Sequence, residues 1–231
     1  MANSMALSVA TTVCRFLKSS IWLLVISGLY LISCHNTKPD EADTMPFYNT
    51  ANFDAEWIKP DEARYDSIHA VAPFWLTNQA GHTITKDSLD GHIYVANFFF
   101  SICPSICPKM MGNLKTLQTT FADSAQIRLV SFSVMPWADS VSQLRKYGEL
   151  RGINPAKWHL LTGPKETIYT LGRTSYFAEK GLGLQKNTTE FLHTESMLLI
   201  DQKGRIRGIY NATQKPDVER VTDDIYTLLE E

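Results

Sequence analysis

Nine consecutive residues, His92 to Phe100 (HIYVANFFF), form an almost unbroken apolar run rich in β-branched and aromatic side chains. A run without alternation has no wet face, so it predicts a strand buried on both sides and therefore a sheet covered by helices on both sides. The neighbouring periodicities agree. Pro108 to Asp123 places Met110, Met111, Leu114, Leu117 and Phe121 at three- and four-residue spacing behind a proline suited to a first helical turn, which predicts a helix. Ile127 to Val134 reads as the next strand. Ser140 to Arg151 reads as a helix with Val141, Leu144, Tyr147 and Leu150 inward, Trp158 to Thr162 as a short strand, and Lys165 to Thr174 as a short helix. Ser196 to Ile200 and Arg205 to Tyr210 flank Asp201-Gln202-Lys203-Gly204, a turn sequence that predicts a hairpin. Val218 to Glu230 closes the chain as a helix with Val218, Val221, Ile225 and Leu228 or Leu229 inward. The order β-α-β-α-β-α-β-β-α predicts an α/β fold of thioredoxin-like layout: a central mixed sheet with flanking helices and a C-terminal β-hairpin plus helix.

With 22 basic and 24 acidic residues the formal charge is −2, which excludes the long-range positive field of a general nucleic-acid binder. Eleven Phe, nine Tyr and five Trp supply a core that needs no disulfide staples. Each of the four cysteines, Cys14, Cys34, Cys103 and Cys107, therefore asks for its own explanation.

The N-terminus reads as an address. Ile21 to Ser33 is an apolar run of thirteen residues preceded by Arg15 and Lys18, with no acidic residue ahead of it. It is shorter than the roughly 20 residues a membrane-spanning helix needs, and matches the core of a secretory signal. Leu31-Ile32-Ser33-Cys34 resembles a bacterial lipobox, in which cleavage before the cysteine frees its thiol for lipid attachment. Cys34 is then the lipidated first residue. The alternative is an uncleaved anchor that ends in cysteine, and both place the rest of the chain outside the cytoplasm, in the cell envelope facing the periplasm or exterior. The expected organisation is a signal peptide over 1–33, a tether over 34–68 with Phe47, Tyr48 and Trp57 able to dock, and one domain over 69–231.

Cys103-Pro104-Ser105-Ile106-Cys107-Pro108 falls between the buried strand and its helix, where an α/β sheet presents functional groups. In a helical turn residues four apart face the same side, so both sulfurs can reach one ion or each other, and a helix N-terminus favours thiolates. A buried inert pair or a plain disulfide is the alternative, and the expected place on an exposed loop before a helix makes it the weaker one. Thioredoxin-type enzymes have two residues between their cysteines and a proline facing them. Here there are three, no proline occurs between Pro164 and Pro216, and the facing segment before the hairpin holds His193 instead. Two soft sulfurs and one nitrogen suit copper, above all Cu(I), and disfavour oxygen-seeking ions, while zinc ordinarily takes a fourth ligand. His69, His82, His92 and His159 have no comparable partners and read as surface or packing residues.

These residues resemble the Sco/SenC proteins, thioredoxin-like copper chaperones for cytochrome c oxidase assembly. The resemblance spans roughly Val71 to Leu229. It rests on Phe98-Phe99-Phe100 leading into Cys103-x-x-x-Cys107-Pro108, on Trp158-His159-Leu160-Leu161-Thr162-Gly163, and on His193 ahead of a strand and Asp201-x-x-Gly204. It implies copper, as Cu(I) or Cu(II), bound by Cys103, Cys107 and His193. It also implies delivery to, or thiol reduction at, the copper A site of a cytochrome c oxidase subunit or another copper or thiol protein. One position departs: where such proteins commonly carry Val-Asp-Pro-x-x-Asp, this chain has Val134-Met135-Pro136-Trp137-Ala138-Asp139, which leaves Asp139 as the acidic candidate there and Met135 as a lining thioether.

Two functions follow. As a metallochaperone the protein holds copper through Cys103, Cys107 and His193 without covalent turnover. As a thiol-disulfide oxidoreductase it uses Cys103 to attack and Cys107 to resolve, with His193 tuning a thiol.

Overall fold

A computed structural model describes residues 44–178 and 195–231. The expected signal segment, the lipidation candidate Cys34 and the ligand candidate His193 lie outside the described residues. The element order is β1 (Phe47–Tyr48), β2 (Ala55–Glu56), a 3-10 turn (Ala63–Ser67), β3 (Trp75–Asn78), β4 (Thr83–Thr85), β5 (Ile93–Phe99), α1 (Cys107–Thr120), β6 (Ile127–Ser133) and α2 (Val141–Leu150). It continues with β7 (Trp158–Thr162), α3 (Lys165–Thr170), a π turn (Leu171–Ser175), β8 (Ser196–Ile200), β9 (Ile206–Asn211) and α4 (Lys215–Glu230).

All seven residues of β5 are buried. It sits inside a seven-stranded sheet of order β4-β3-β7-β6-β5-β8-β9, parallel to β6 and antiparallel to β8. β6 and β7 are parallel, and β8 and β9 form the expected hairpin. This is the mixed α/β, thioredoxin-like arrangement that the pattern predicts. Each face of β5 has its own chemistry. On one, Phe98 stacks on Phe132 at 5.2 Å, with Phe74 and Tyr176 against Phe132, and burying each such ring contributes roughly 2–3 kcal/mol. On the other, the Trp158 indole N–H donates to the Ser131 hydroxyl (2.8 Å), which donates to Asn97 (2.5 Å), so the polar atoms beneath α1 and α2 are tied together.

The helices follow their periodicity with one correction. Met110, Met111, Leu114 and Leu117 of α1 and Val218, Val221, Ile225 and Leu228 of α4 are buried as expected. On α2, Leu144 and Tyr147 point inward, but Leu150 is 89% exposed. Six residues beyond Leu144 at about 100° each bring Leu150 about 120° away from the buried line. The β3–β4 hairpin has no counterpart in the sequence reading. Its strands are three and four residues long and Trp75 is exposed, so they carry too little alternation to register. Its turn closes on the Asn78 side-chain oxygen, which accepts the Ala80 and His82 N–H groups, with Gly81 at φ +87°.

The stretch read as a tether covers 34–68, yet from residue 44 it is built into the domain. Phe47, Ile58 and Ile68 form a small buried cluster with Tyr65, Tyr48 packs on the main core, and Trp57 remains half exposed while its indole donates to Thr44. Two arginines beside or on β9 hold this segment. Arg207, buried, lies 4.2 Å over the Phe47 ring, donates to the Met45 and Pro46 carbonyls, and forks onto Glu231 at 2.7 and 2.9 Å. Arg205 lies 4.3 Å over Tyr65 and donates to its carbonyl. Replacing Arg207 by Ala leaves two carbonyls and the buried Asp201, 3.7 Å away, without their cation. Arg207→Ala is therefore expected to lose about 3 kcal/mol of stability in urea unfolding; a loss below about 1 kcal/mol, the range of an exposed ion pair, would refute the clamp.

Candidate metal and thiol site

β5 runs between β6 and β8, and past its end at Phe99 the chain leaves the sheet and turns. The Cys103 N–H donates to the Phe100 carbonyl at 3.3 Å, and α1 begins at Cys107 with Pro108 in its first turn. Proline there removes one N–H that a helix start would leave unpaired and presets the backbone. The remaining N–H groups at this start converge on a sulfur. Cys103 and Cys107 are both free thiols, both largely buried, at 9% and 2% exposure.

Their environments split them. Burial pushes the Cys103 thiol up. The Cys107 thiol and the backbone N–H groups of Cys107, Ser105 and Ile106 hydrogen-bond to its sulfur, and together they outweigh burial and bring it below the ordinary thiol value. Cys107, the donor of that thiol–thiol bond, is pushed up to about 12, first by burial and then by its neighbour Cys103, against a lowering from Phe100 backbone and Arg151 charge. The pair is therefore unequal: the helix N-terminus favours negative charge on the Cys103 sulfur, while Cys107 is held as the thiol that hydrogen-bonds to it.

The surrounding groups come from α2 and the loop before it. Tyr147 brings a buried hydroxyl, with no hydrogen-bond partner among the described residues, into the field of both thiols and Asp139, and burial pushes its phenol up to about 12. Arg151 lies 4.6 Å over the Tyr147 ring. Met135 is half buried and packs on the core. Asp139 is fully buried and bonded to Ser101 and Ser133. Ser101 and Ser133 carry no sequence signal, and the periodicity that turns Tyr147 inward says nothing of the thiols; only the tertiary approach of three segments reveals their place at the site.

The histidines read as packing residues lie away from this pair's hydrogen bonds. His69 bonds the Ser175 carbonyl at 2.9 Å and stacks on Phe177. His159 approaches the Asn78 amide at 3.4 Å, and burial pushes it down to about 4. Among the described residues no three His, Cys, Asp or Glu side chains gather into a metal cage. The two sulfurs fit a soft ion but leave it short of donors, and His193, the expected third, lies outside the described residues.

Comparison with known proteins agrees with this fold. The family model described as SCO1/SenC matches residues 62–230. A solved structure titled for a disulfide switch in BsSco, "a member of the Sco family of cytochrome c oxidase assembly proteins", is 28% identical and superimposes with a TM-score of 0.59 over 69% of this chain and 93% of that one. A SCO1/SenC family lipoprotein from Bacillus anthracis is 26% identical, with a TM-score of 0.60 over 70% of this chain and 95% of its own. Arabidopsis thaliana ScoI with copper bound is 25% identical, with a TM-score of 0.55 over 70% and 98%.

The split between the thiols has a measurable consequence. Iodoacetamide added to the reduced chain near neutral pH is expected to alkylate Cys103 well ahead of Cys107. The Cys103 rate should climb with pH as the thiolate forms and level off below the ordinary thiol range, while Cys107 stays protonated and slow. Equal labelling of both, read by mass spectrometry, would contradict the assignment.

Proposed function

The chain belongs to the SCO1/SenC family, and from that membership we propose that it is a membrane-anchored, extracytoplasmic copper chaperone that assists assembly of the copper A centre of cytochrome c oxidase. One observation carries this reading: two free sulfurs, sharing a hydrogen bond at the mouth of the sheet, with backbone N–H groups already favouring negative charge on one of them. Copper is the cargo. Cys103 and Cys107 bind it as thiolates, each releasing a proton, and His193 supplies the nitrogen. The site takes up a soft ion and surrenders it by ligand exchange, so a partner with its own thiolates or imidazoles takes the cargo without a bond to the chaperone's carbon skeleton being made. The copper-bound Arabidopsis structure supports the choice of ion, and the description of BsSco supports an oxidase subunit, or another copper or thiol protein, as recipient. The Bacillus anthracis lipoprotein supports lipid attachment at Cys34, which would hold the domain at the outer face of a membrane.

The unequal thiols favour a second reading, thiol-disulfide reduction. The Cys103 thiolate attacks a partner disulfide, forming a mixed disulfide and expelling one partner thiolate, which takes up a proton. Cys107 loses its proton and attacks the Cys103 sulfur, expelling the second partner thiolate. Two electrons pass to the partner, now a dithiol, and Cys103–Cys107 is left as a disulfide.

Cu(I) titration of the reduced chain separates the two. The wild type is expected to bind one ion per chain, Cys103→Ala and Cys107→Ala to lose it, and His193→Ala to bind at least about tenfold more weakly. If the wild type takes up no more copper than His193→Ala while both reduce disulfides equally well, the reductase reading replaces the chaperone.

A further inference from the structure

We propose that Asp139 is a positioning residue for the cysteine loop: its buried carboxylate latches that loop, through Ser101, to the end of β6 and the start of α2, and so sets the separation of the two sulfurs. The inference rests on Cys103 and Cys107 being the working pair. Asp139 is 0% exposed, and a carboxylate taken out of water persists only where hydrogen bonds replace its hydration. Here they do. One oxygen accepts the Ser101 hydroxyl at 2.5 Å, the other accepts the Ser133 hydroxyl at 2.5 Å, and the Ser101 N–H lies 3.3 and 3.1 Å from the two. The serines are themselves held, Ser101 accepting from the Gln143 amide at 3.3 Å and Ser133 from the Met135 N–H at 3.2 Å. The Asp139 N–H donates to the Met135 carbonyl at 2.9 Å, and the next residue, Ser140, caps α2 by accepting the Gln143 N–H.

Three segments thus meet on one carboxylate, and one of them is the loop two residues ahead of Cys103. Asp139 has no path to solvent and spends its oxygens on these donors, so it is not a ligand. Its effect is on geometry. Cys107 is fixed by α1, whereas Cys103 stands on a loop that could splay, and a loop that must be ordered on binding weakens affinity. A latch that has already ordered it removes that penalty. Supporting partners of this kind change metal affinity by about 10- to 100-fold.

The test uses Cu(I) titrated into the reduced full chain, with the wild type as reference. Asp139→Asn and Ser101→Ala are each expected to weaken binding about tenfold. The double variant should be no weaker than Asp139→Asn alone, because both remove one link. Ser101→Thr keeps the hydroxyl and should bind as the wild type does, a rescue that a general loss of stability would not give. If Asp139→Asn fails to fold, Ser101→Ala against Ser101→Thr decides alone. Folded Ser101→Ala with wild-type affinity would overturn the latch while leaving the cysteine pair's role intact. If the wild type itself binds no copper, the chaperone reading fails. The latch is then read from the dithiol–disulfide equilibrium against glutathione: a change of about tenfold in Ser101→Ala, absent in Ser101→Thr, upholds it, and no change overturns it.

Discussion

The double burial of β5 is the constraint on which the rest of the molecule depends. With β6 alongside all seven residues and β8 alongside Tyr94 to Asn97, β5 is held between two ladders, and with aromatic packing on one face and the Trp158–Ser131–Asn97 chain on the other its register is fixed. A slip of one residue would exchange the two faces and drive Asn97 into the phenylalanine stack. The end of the strand is therefore a fixed point, and the loop that leaves it starts from a defined position and direction. Chemistry that needs two sulfurs at a set distance gains from such an origin.

The electrostatics of the pair follow from where each cysteine stands relative to that point. Cys107 is the first residue of α1 and is carried down against the core, so its sulfur meets carbon. Cys103 lies outside the helix, across its open end, so its sulfur meets N–H groups. Two thiols of identical chemistry, close enough to hydrogen-bond, are thereby driven in opposite directions. The polarity is the same that lets helix N-termini hold anions, and it favours the deprotonated state that both copper binding and disulfide attack require.

Much of this was legible in the chain. The unbroken apolar run of β5, the 3.6-residue seam of α1 and the turn residues Asp201 to Gly204 each leave a local signal, and the cysteine spacing stands at a junction where an α/β fold places function. What escaped lacks a period. Leu150 looked inward because its spacing from Val141, Leu144 and Tyr147 steps by three, which drifts around a 3.6-residue helix. The β3–β4 hairpin and the residues from 44 to 68 are too short and irregular to alternate. The latter are held by Arg205 and Arg207, whose partners lie about 140 and 160 residues away in sequence. Ser101 and Ser133 are equally silent, and Tyr147 shows only its inward spacing, since a hydroxyl gains meaning only from what folding brings beside it.

The departure at Val134-Met135-Pro136 takes on a different weight in that light. A methionine in this loop places a thioether, half buried against the core, where a carboxylate would have stood. Its backbone still does structural work: the Met135 N–H donates to Ser133, and the Met135 carbonyl accepts the Ala138 and Asp139 N–H groups, closing the turn that delivers Asp139. The turn's hydrogen bonds are thus made by the backbone at 135, not by its side chain. With one carboxylate in the turn, and that one committed to Ser101 and Ser133, negative charge beside the thiols is low, and a cation entering there is met by sulfur. The Asp139 oxygens are thus taken up by the protein's own hydrogen-bond donors, which leaves the sulfurs as the soft donors of this loop.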